Sequence, residues 1–175
     1  CEGLRAAITI NVTATPALPT IVTPVTYCQG ATPAVLSASG SGLLWYNAAT
    51  GGVGSATAPT PTATAVGSTI YYVSQTINGC EGPRAAITVT VNITPAAPVV
   101  ANPAPYCQNA TTTPLTATGT NLLWYANATG GVGSATAPTP STTAVSSTIY
   151  YVSQTINGCE GPRAAITVTV NVTPA

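Results

Sequence analysis

The segment GVGSATAPTP at 52–61 recurs letter for letter at 131–140, and YYVSQTINGCEGPRAAITVTVN at 71–92 recurs at 150–171. The offset does not vary: Cys28 to Cys107, Trp45 to Trp124, Cys80 to Cys159 and Cys1 to Cys80 are each 79 residues apart. Such repetition reduces the folding problem to one unit. Periods of about 20–50 residues belong to solenoids and propellers, whereas this one approaches the roughly 100 residues of a small two-sheet domain. The chain reads as a tail at 1–16, the C-terminal strand of a preceding repeat, then two full units at 17–95 and 96–175. That arrangement is expected of a window onto a longer array.

Within a unit the periodicity is that of strands. Ile87, Val89, Val91 and Ile93 alternate with Thr88, Thr90, Asn92 and Thr94, the pattern of a half-buried strand. The run from Ile70 to Thr76 is rich in β-branched and aromatic residues, which suit a pleated surface. Between the two lies Asn78-Gly79, a strong signal for a two-residue hairpin turn that needs positive φ twice. These strands are therefore predicted to be antiparallel neighbours. Leu43–Tyr46 and Ala34–Ser39 supply two more strands, the latter ending at the Gly40-Ser41-Gly42 turn. No helical period appears, so each unit is predicted to be an all-β sandwich. Proline-bearing joints such as Thr94-Pro95-Ala96-Ala97-Pro98 read as stiff connectors, and tandem units joined by them are expected to form a rod.

Composition narrows the function classes. Charged residues make up 3% of the chain and are Glu2, Arg5, Glu81, Arg84, Glu160 and Arg163, while hydrophobic residues make up 45%. Zero net charge gives no electrostatic reason to bind nucleic acid or an anionic membrane surface. No apolar run approaches the about 20 residues of a membrane-spanning helix. General acid–base chemistry needs positioned titratable groups, and each unit offers one glutamate and no histidine, aspartate or lysine. No catalytic residue, metal ligand set or cofactor is expected, and the chain is read as not an enzyme. The cysteines, tens of residues apart, read as disulfide-formers in an oxidising compartment rather than as zinc ligands.

The strand order resembles an immunoglobulin-like domain. Tyr71-Tyr72-Val73 occupies the place of the Tyr-x-Cys strand, so Val73 stands where a core cysteine would be and Ala38 where its partner would be. Ala117 and Val152 are their equivalents, with Trp45 and Trp124 packing nearby. The actual cysteines sit elsewhere: Cys28 before the second strand and Cys80 past the hairpin turn. Pairing within a unit, Cys28–Cys80 and Cys107–Cys159, is favoured, with Cys1 bonded to a residue of the preceding repeat. Each such bond would close a loop of 52 residues, worth about 4 kcal/mol in the chain-entropy model. A rival pairing joins Cys28 to the hairpin tip of an adjoining unit, because the first inter-strand loop and the tip lie at opposite ends of the standard topology. Spacing alone does not choose between them.

Other side chains carry bland readings beside sharper ones. Glu81 with Arg84, and Glu160 with Arg163, read as exposed local ion pairs of little energetic weight, or as contacts to an adjoining domain. Alternation turns Trp45 inward and Tyr46 outward, making Tyr46, its equivalent Tyr125, and Tyr72 candidates for an exposed aromatic surface. The Asn-x-Thr triplets at Asn11, Asn92, Asn109, Asn127 and Asn171 match a glycosylation pattern.

Taken together, Tyr-Cys-Gln at 27–29 and 106–108, Leu-Leu-Trp-Tyr at 43–46 and 122–125, and the long Tyr-Tyr-Val-Ser-Gln-Thr-x-Asn-Gly-Cys-Glu run resemble a known family. They are similar to the immunoglobulin-like repeats of very large Bacteroidota surface adhesins exported by the type IX system, of the SprB-type gliding-motility kind. The resemblance implies an extracellular, cell-surface stalk or filament serving attachment and gliding. It also implies neighbouring repeats as partners, with surface polysaccharide or substratum beyond them. Repeats that themselves bind glycan, or self-associate laterally into a filament, are the alternative.

Overall fold

The structure is a computed structural model of the 175-residue chain and describes every residue except Glu2 and Ala175. The first repeat supplies β1 (Thr20–Ile21), β2 (Val25–Cys28), β3 (Ala38–Ser39), β4 (Leu44–Tyr46) and β5 (Gly67–Ser74). It continues with β6 (Thr76–Ile77), β7 (Cys80–Glu81) and β8 (Ala85–Asn92). The second supplies β9 (Val99–Val100), β10 (Tyr106–Cys107), β11 (Ala117–Thr118), β12 (Leu122–Tyr125), β13 (Ser146–Ile156), β14 (Cys159–Glu160) and β15 (Ala164–Asn171). No helix occurs among the described residues.

Two compact units result. One comprises Cys1–Tyr27 with Ala31–Val91, and the other comprises Asn92–Ala175 together with the tripeptide Cys28–Gly30. In the first, one sheet has the order β2-β8-β5-β4 and a second, small sheet pairs β1 with β3. In the other, β10-β15-β13-β12 form the main sheet and β9 pairs with β11. The main-sheet edge strand β10 runs parallel to β15, while β12, β13 and β15 are antiparallel.

Pleat and register place the cores. Val73 lies opposite both Trp45 and Ala85 across its two neighbouring strands. With Leu36, Ile87 and Val89 these residues form the buried cluster, against which Ala38 and Tyr71 pack. The second unit repeats the cluster with Leu115, Trp124, Val152, Ile166 and Val168, flanked by Ala117. Ala38 and Val73 thus occupy core ground that a disulfide holds in antibody domains. Val73 and Val152 are fully inaccessible, and burying each contributes about 1.5–3 kcal/mol.

The hairpin expectation is met: Asn78 and Gly79 have φ of 52° and 78°, and Ile77 pairs with Cys80 across the turn. The alternating strand buries Ile87, Val89 and Val91 but leaves Ile93 about half exposed, because β8 ends at Asn92. The strand expected over Ala34–Ser39 shrinks to β3, with Leu36 reaching the core from irregular backbone whose N–H donates to Pro59 O. Residues 3–19 contain no strand. The equivalent segments β8 and β15 are strands because they are flanked by β5 or β13, and the tail has no such partner among the described residues.

Candidate functional site

Each repeat gathers its two charged side chains into one polar cluster. In the first, Glu81 follows the hairpin turn on β7, and its Oε1 accepts hydrogen bonds from Tyr46 Oη and Ser74 Oγ, both at 2.6 Å. Ser74 is fully buried and Tyr46 nearly so. Arg84 covers the ring of Tyr46, its guanidinium carbon 3.2 Å from the centroid. From there Nη1 donates to Ala48 O at 2.7 Å and Gly51 O at 2.8 Å, pinning the loop after β4. The second unit copies the cluster. Tyr125 and Ser153 donate to Glu160 at 2.6 Å, Arg163 stacks 3.3 Å over Tyr125, and its Nη1 reaches Asn127 O at 2.6 Å.

The carboxylates are tuned by these hydroxyls. Glu81 titrates below its ordinary value chiefly because Ser74 and then Tyr46 donate to the ionised form, against a desolvation penalty, with Arg84 adding a smaller pull. Glu160 is lowered by Ser153 and Tyr125 in the same order. The cluster is closed on itself. Glu81 and Arg84 are both engaged by groups of their own repeat, so the cluster works as a structural latch between β4, β5 and β7, and its second-repeat copy does the same between β12, β13 and β14.

The second assembly of chemistry is a disulfide. Cys28 bonds to Cys159, with a Cα–Cα distance of 5.5 Å and a sequence separation of 131 residues. The pairings Cys28–Cys80 and Cys107–Cys159 are therefore not formed, and the rival arrangement, Cys28 to the next repeat's hairpin tip, is the one present. The physical reason is topological. The tripeptide Cys28–Gly30 packs with Asn92–Ala175, where hydrogen bonds fix it beside the tip carrying Cys159. Gln29 N donates to Asn92 O at 2.8 Å, Thr94 Oγ1 donates to Gln29 O at 2.9 Å, and Asn92 Nδ2 donates to Asn157 O at 3.0 Å. Cys159 is buried, while Cys1, Cys80 and Cys107 remain thiols.

A family model described as "Ig-like domain CHU_C associated" matches residues 16–92 and again 95–174. The chain belongs to this family. No curated protein matches it. Among solved structures, Sidekick-1 immunoglobulin domains 1–4 share 14% identity, covering 89% of this chain and 48% of that one at a TM-score of 0.34, a likeness that carries no argument. The chain thus spans about half the length of that structure.

Within these Ig-like CHU_C-associated domains, Trp45 takes the core position expected of it. Tyr46 and Tyr125 do not take the exposed positions expected: they are 7% and 8% accessible. Alternation does turn them away from the tryptophans, but the half-buried Arg84 and Arg163 lie over their rings and cover the opposite face of β4 and β12. A cleft of about 370 Å³ is bounded by Trp124, Tyr125, Pro138 and Tyr150. It offers little bare Tyr125 ring to a sugar, since that residue is only 8% accessible. Glu81 and Arg84, expected as an exposed ion pair, instead make their strongest contacts with hydroxyls and backbone carbonyls. Of the glycosylation triplets, Asn92 already uses its side-chain amide on Asn157 O. Among the described residues no cluster of three or more His, Cys, Asp or Glu side chains could hold a metal ion. Among the described residues no helix is long and apolar enough to cross a membrane.

Sequence reasoning missed Ser74 and Ser153 as latch residues. Their signal was available: a serine at the position following the fully buried valine of the central strand.

Proposed function

We propose that these domains are non-enzymatic structural repeats of an extracellular, cell-surface adhesin, acting as a stalk that displays an adhesive region located elsewhere. The reading includes service in attachment and gliding motility, as the sequence resemblance to type IX-exported Bacteroidota adhesins implies. One observation carries it: Glu81, Arg84, Glu160 and Arg163 are bound to groups of their own domain. Recognition and acid–base chemistry both need polar groups free to engage a ligand, and these repeats commit their charges to hydroxyls, backbone carbonyls and a tyrosine ring of their own. Burial of Tyr46 and Tyr125 removes the aromatic platform that a glycan-binding reading would use. A disulfide suits an oxidising, extracytoplasmic setting.

The test is replacement. Exchanging these two repeats, within the surface protein that carries them, for two unrelated sandwich domains of equal length should preserve attachment and surface movement. Loss of attachment with normal export would overturn the stalk reading in favour of repeats that bind directly.

A further inference from the structure

The bonded pair Cys28–Cys159 has two unbonded counterparts in the same chain. A shift of one repeat turns Cys28 into Cys107 and Cys159 into Cys80, and both of these are thiols. The surroundings shift with them. Around the bonded cysteine, Gln29 N donates to Asn92 O at 2.8 Å and Thr94 Oγ1 to Gln29 O at 2.9 Å. Around Cys107, Gln108 N donates to Asn171 O at 2.8 Å and Thr173 Oγ1 to Gln108 O at 3.0 Å.

The receiving side is therefore built before any partner arrives. Cys107 lies in register beside Asn171 on the parallel pair β10–β15. Asn92, the counterpart of Asn171, uses its amide on the carbonyl of Asn157, two residues before the bonded Cys159. The side-chain amide of Asn171 makes no hydrogen bond among the described residues. On the presenting side, the turn Asn78-Gly79 before Cys80 has the same backbone as Asn157-Gly158 before Cys159, with φ of 52° and 78° against 50° and 78°. Burial follows bonding: Cys159 is 1% accessible, while Cys80, in the same sequence context, is only partly covered.

We infer that Cys107 and Asn171 form a docking site for the Asn-Gly-Cys hairpin tip of another repeat of this kind, and that Cys80 is the matching tip for a repeat on its other side. Each repeat would then carry two bonds, one through its early cysteine and one through its hairpin tip, making a covalent ladder with no bond inside any repeat. The chemistry is thiol–disulfide exchange. The Cys107 thiolate attacks a small-molecule or protein disulfide and releases one thiol. The tip thiolate then attacks Cys107 Sγ and releases the second. Two protein thiols are oxidised, one Sγ–Sγ bond forms, and one disulfide oxidant is reduced to two thiols. The inference goes beyond the stalk reading and concerns only the ends of each repeat, whatever those repeats display.

Adding a further copy of residues 96–174 after Pro174 tests it, with refolding in a glutathione–glutathione disulfide buffer and thiols counted by alkylation and intact mass. The present chain has five cysteines and three thiols. The lengthened chain gains two cysteines, yet should still show three thiols, because Cys107 takes the new tip and the new early cysteine is left free. Cys107→Ser should then raise the count from three to four by releasing that tip. Unchanged melting of Cys107→Ser in the present chain checks that the variant folds. A count of five in the lengthened chain overturns the inference, since the new tip has then refused Cys107. A count of two in its Cys107→Ser variant also overturns it, since the new cysteines have then paired within their own repeat.

Discussion

Arg84 lies over the ring of Tyr46, 3.2 Å from its centroid, while the hydroxyl of that same ring donates to Glu81 at 2.6 Å. One tyrosine thus connects the only two charges of its repeat without requiring them to pair directly. The arrangement buries an aromatic ring on the side of β4 opposite Trp45, so the strand has two covered faces instead of one. A carboxylate accepting from hydroxyls, and a guanidinium spread over a ring, each keep most of their charge-assisted bonding with little desolvation.

Removing the hydroxyl alone should expose the value of this bond. Tyr46→Phe keeps the ring under Arg84 but leaves Glu81 with Ser74 as its remaining hydroxyl donor. Bonds to charged groups contribute about 1.5–3 kcal/mol. Urea unfolding of Tyr46→Phe should show a loss in that range, matched by Tyr125→Phe, whose bond to Glu160 is also 2.6 Å. A change below a few tenths would show that water replaces the phenol without penalty.

Acid should weaken the fold through the same two carboxylates. Glu81 and Glu160 titrate in the folded chain below their ordinary value of 4.5. The unfolded chain therefore binds protons more readily than the folded one as pH falls. The stabilisation is fully present above about pH 4.5 and is lost as pH drops through the lower folded-state values. With no histidine or aspartate in the chain, melting temperature should be flat from about pH 6 to 8. It should fall under acid conditions, and in the Glu81→Gln/Glu160→Gln variant most of that fall should disappear. A slope that persists unchanged in the double variant would assign it elsewhere.

Gly54 should tolerate no side chain. A Cβ there would meet Tyr46 Oη at 2.6 Å and Cζ at 2.7 Å, and Leu44 Cβ at 3.0 Å. The phenol has no room to yield, being stacked by Arg84 and bonded to Glu81. Gly54→Ala should therefore cost about 1–3 kcal/mol by overpacking, and Gly133→Ala, with the same distances to Tyr125 and Leu123, should cost as much. Gly51 has open space at its Cβ. Its positive φ of 68° should make Gly51→Ala a backbone effect, smaller at about 1 kcal/mol. Thermal or urea unfolding of the three variants checks the order.

What the sequence could reveal was whatever depends on neighbours along the chain. The Asn78-Gly79 turn demands positive φ locally, and the buried face of Ile87, Val89 and Val91 is written in their alternation. The latch was illegible for a different reason. Tyr46 faces away from Trp45, and its burial depends on Glu81 and Arg84, which are 35 and 38 residues further on. The cysteine pairing was hidden in the same way. Nothing in the spacing of Cys28 says that Cys28–Gly30 packs with the unit that follows it. Repetition made the error easy, because each cysteine has an equally plausible partner one repeat nearer.

Breaking Cys28–Cys159 should be the most costly single change. The bond closes a separation of 131 residues, and the chain-entropy model gives about 5 kcal/mol for a loop of that size. An exposed, strain-free surface cysteine pair would be reduced readily, but Cys159 is buried at 1% accessibility, so reduction of the folded chain should be slow. Two measurements follow. Dithiothreitol should leave the native bond intact for longer at low temperature than near the melting transition, as trapped-thiol mass spectrometry would show. Cys28→Ser should lower the unfolding midpoint without altering the β-sheet signal in far-ultraviolet circular dichroism, because the hydrogen bonds of Gln29, Asn92 and Thr94 remain to seat the tripeptide. Equal stability of Cys28→Ser and the parent under oxidising conditions would mean that those hydrogen bonds alone hold Cys28–Gly30 in place.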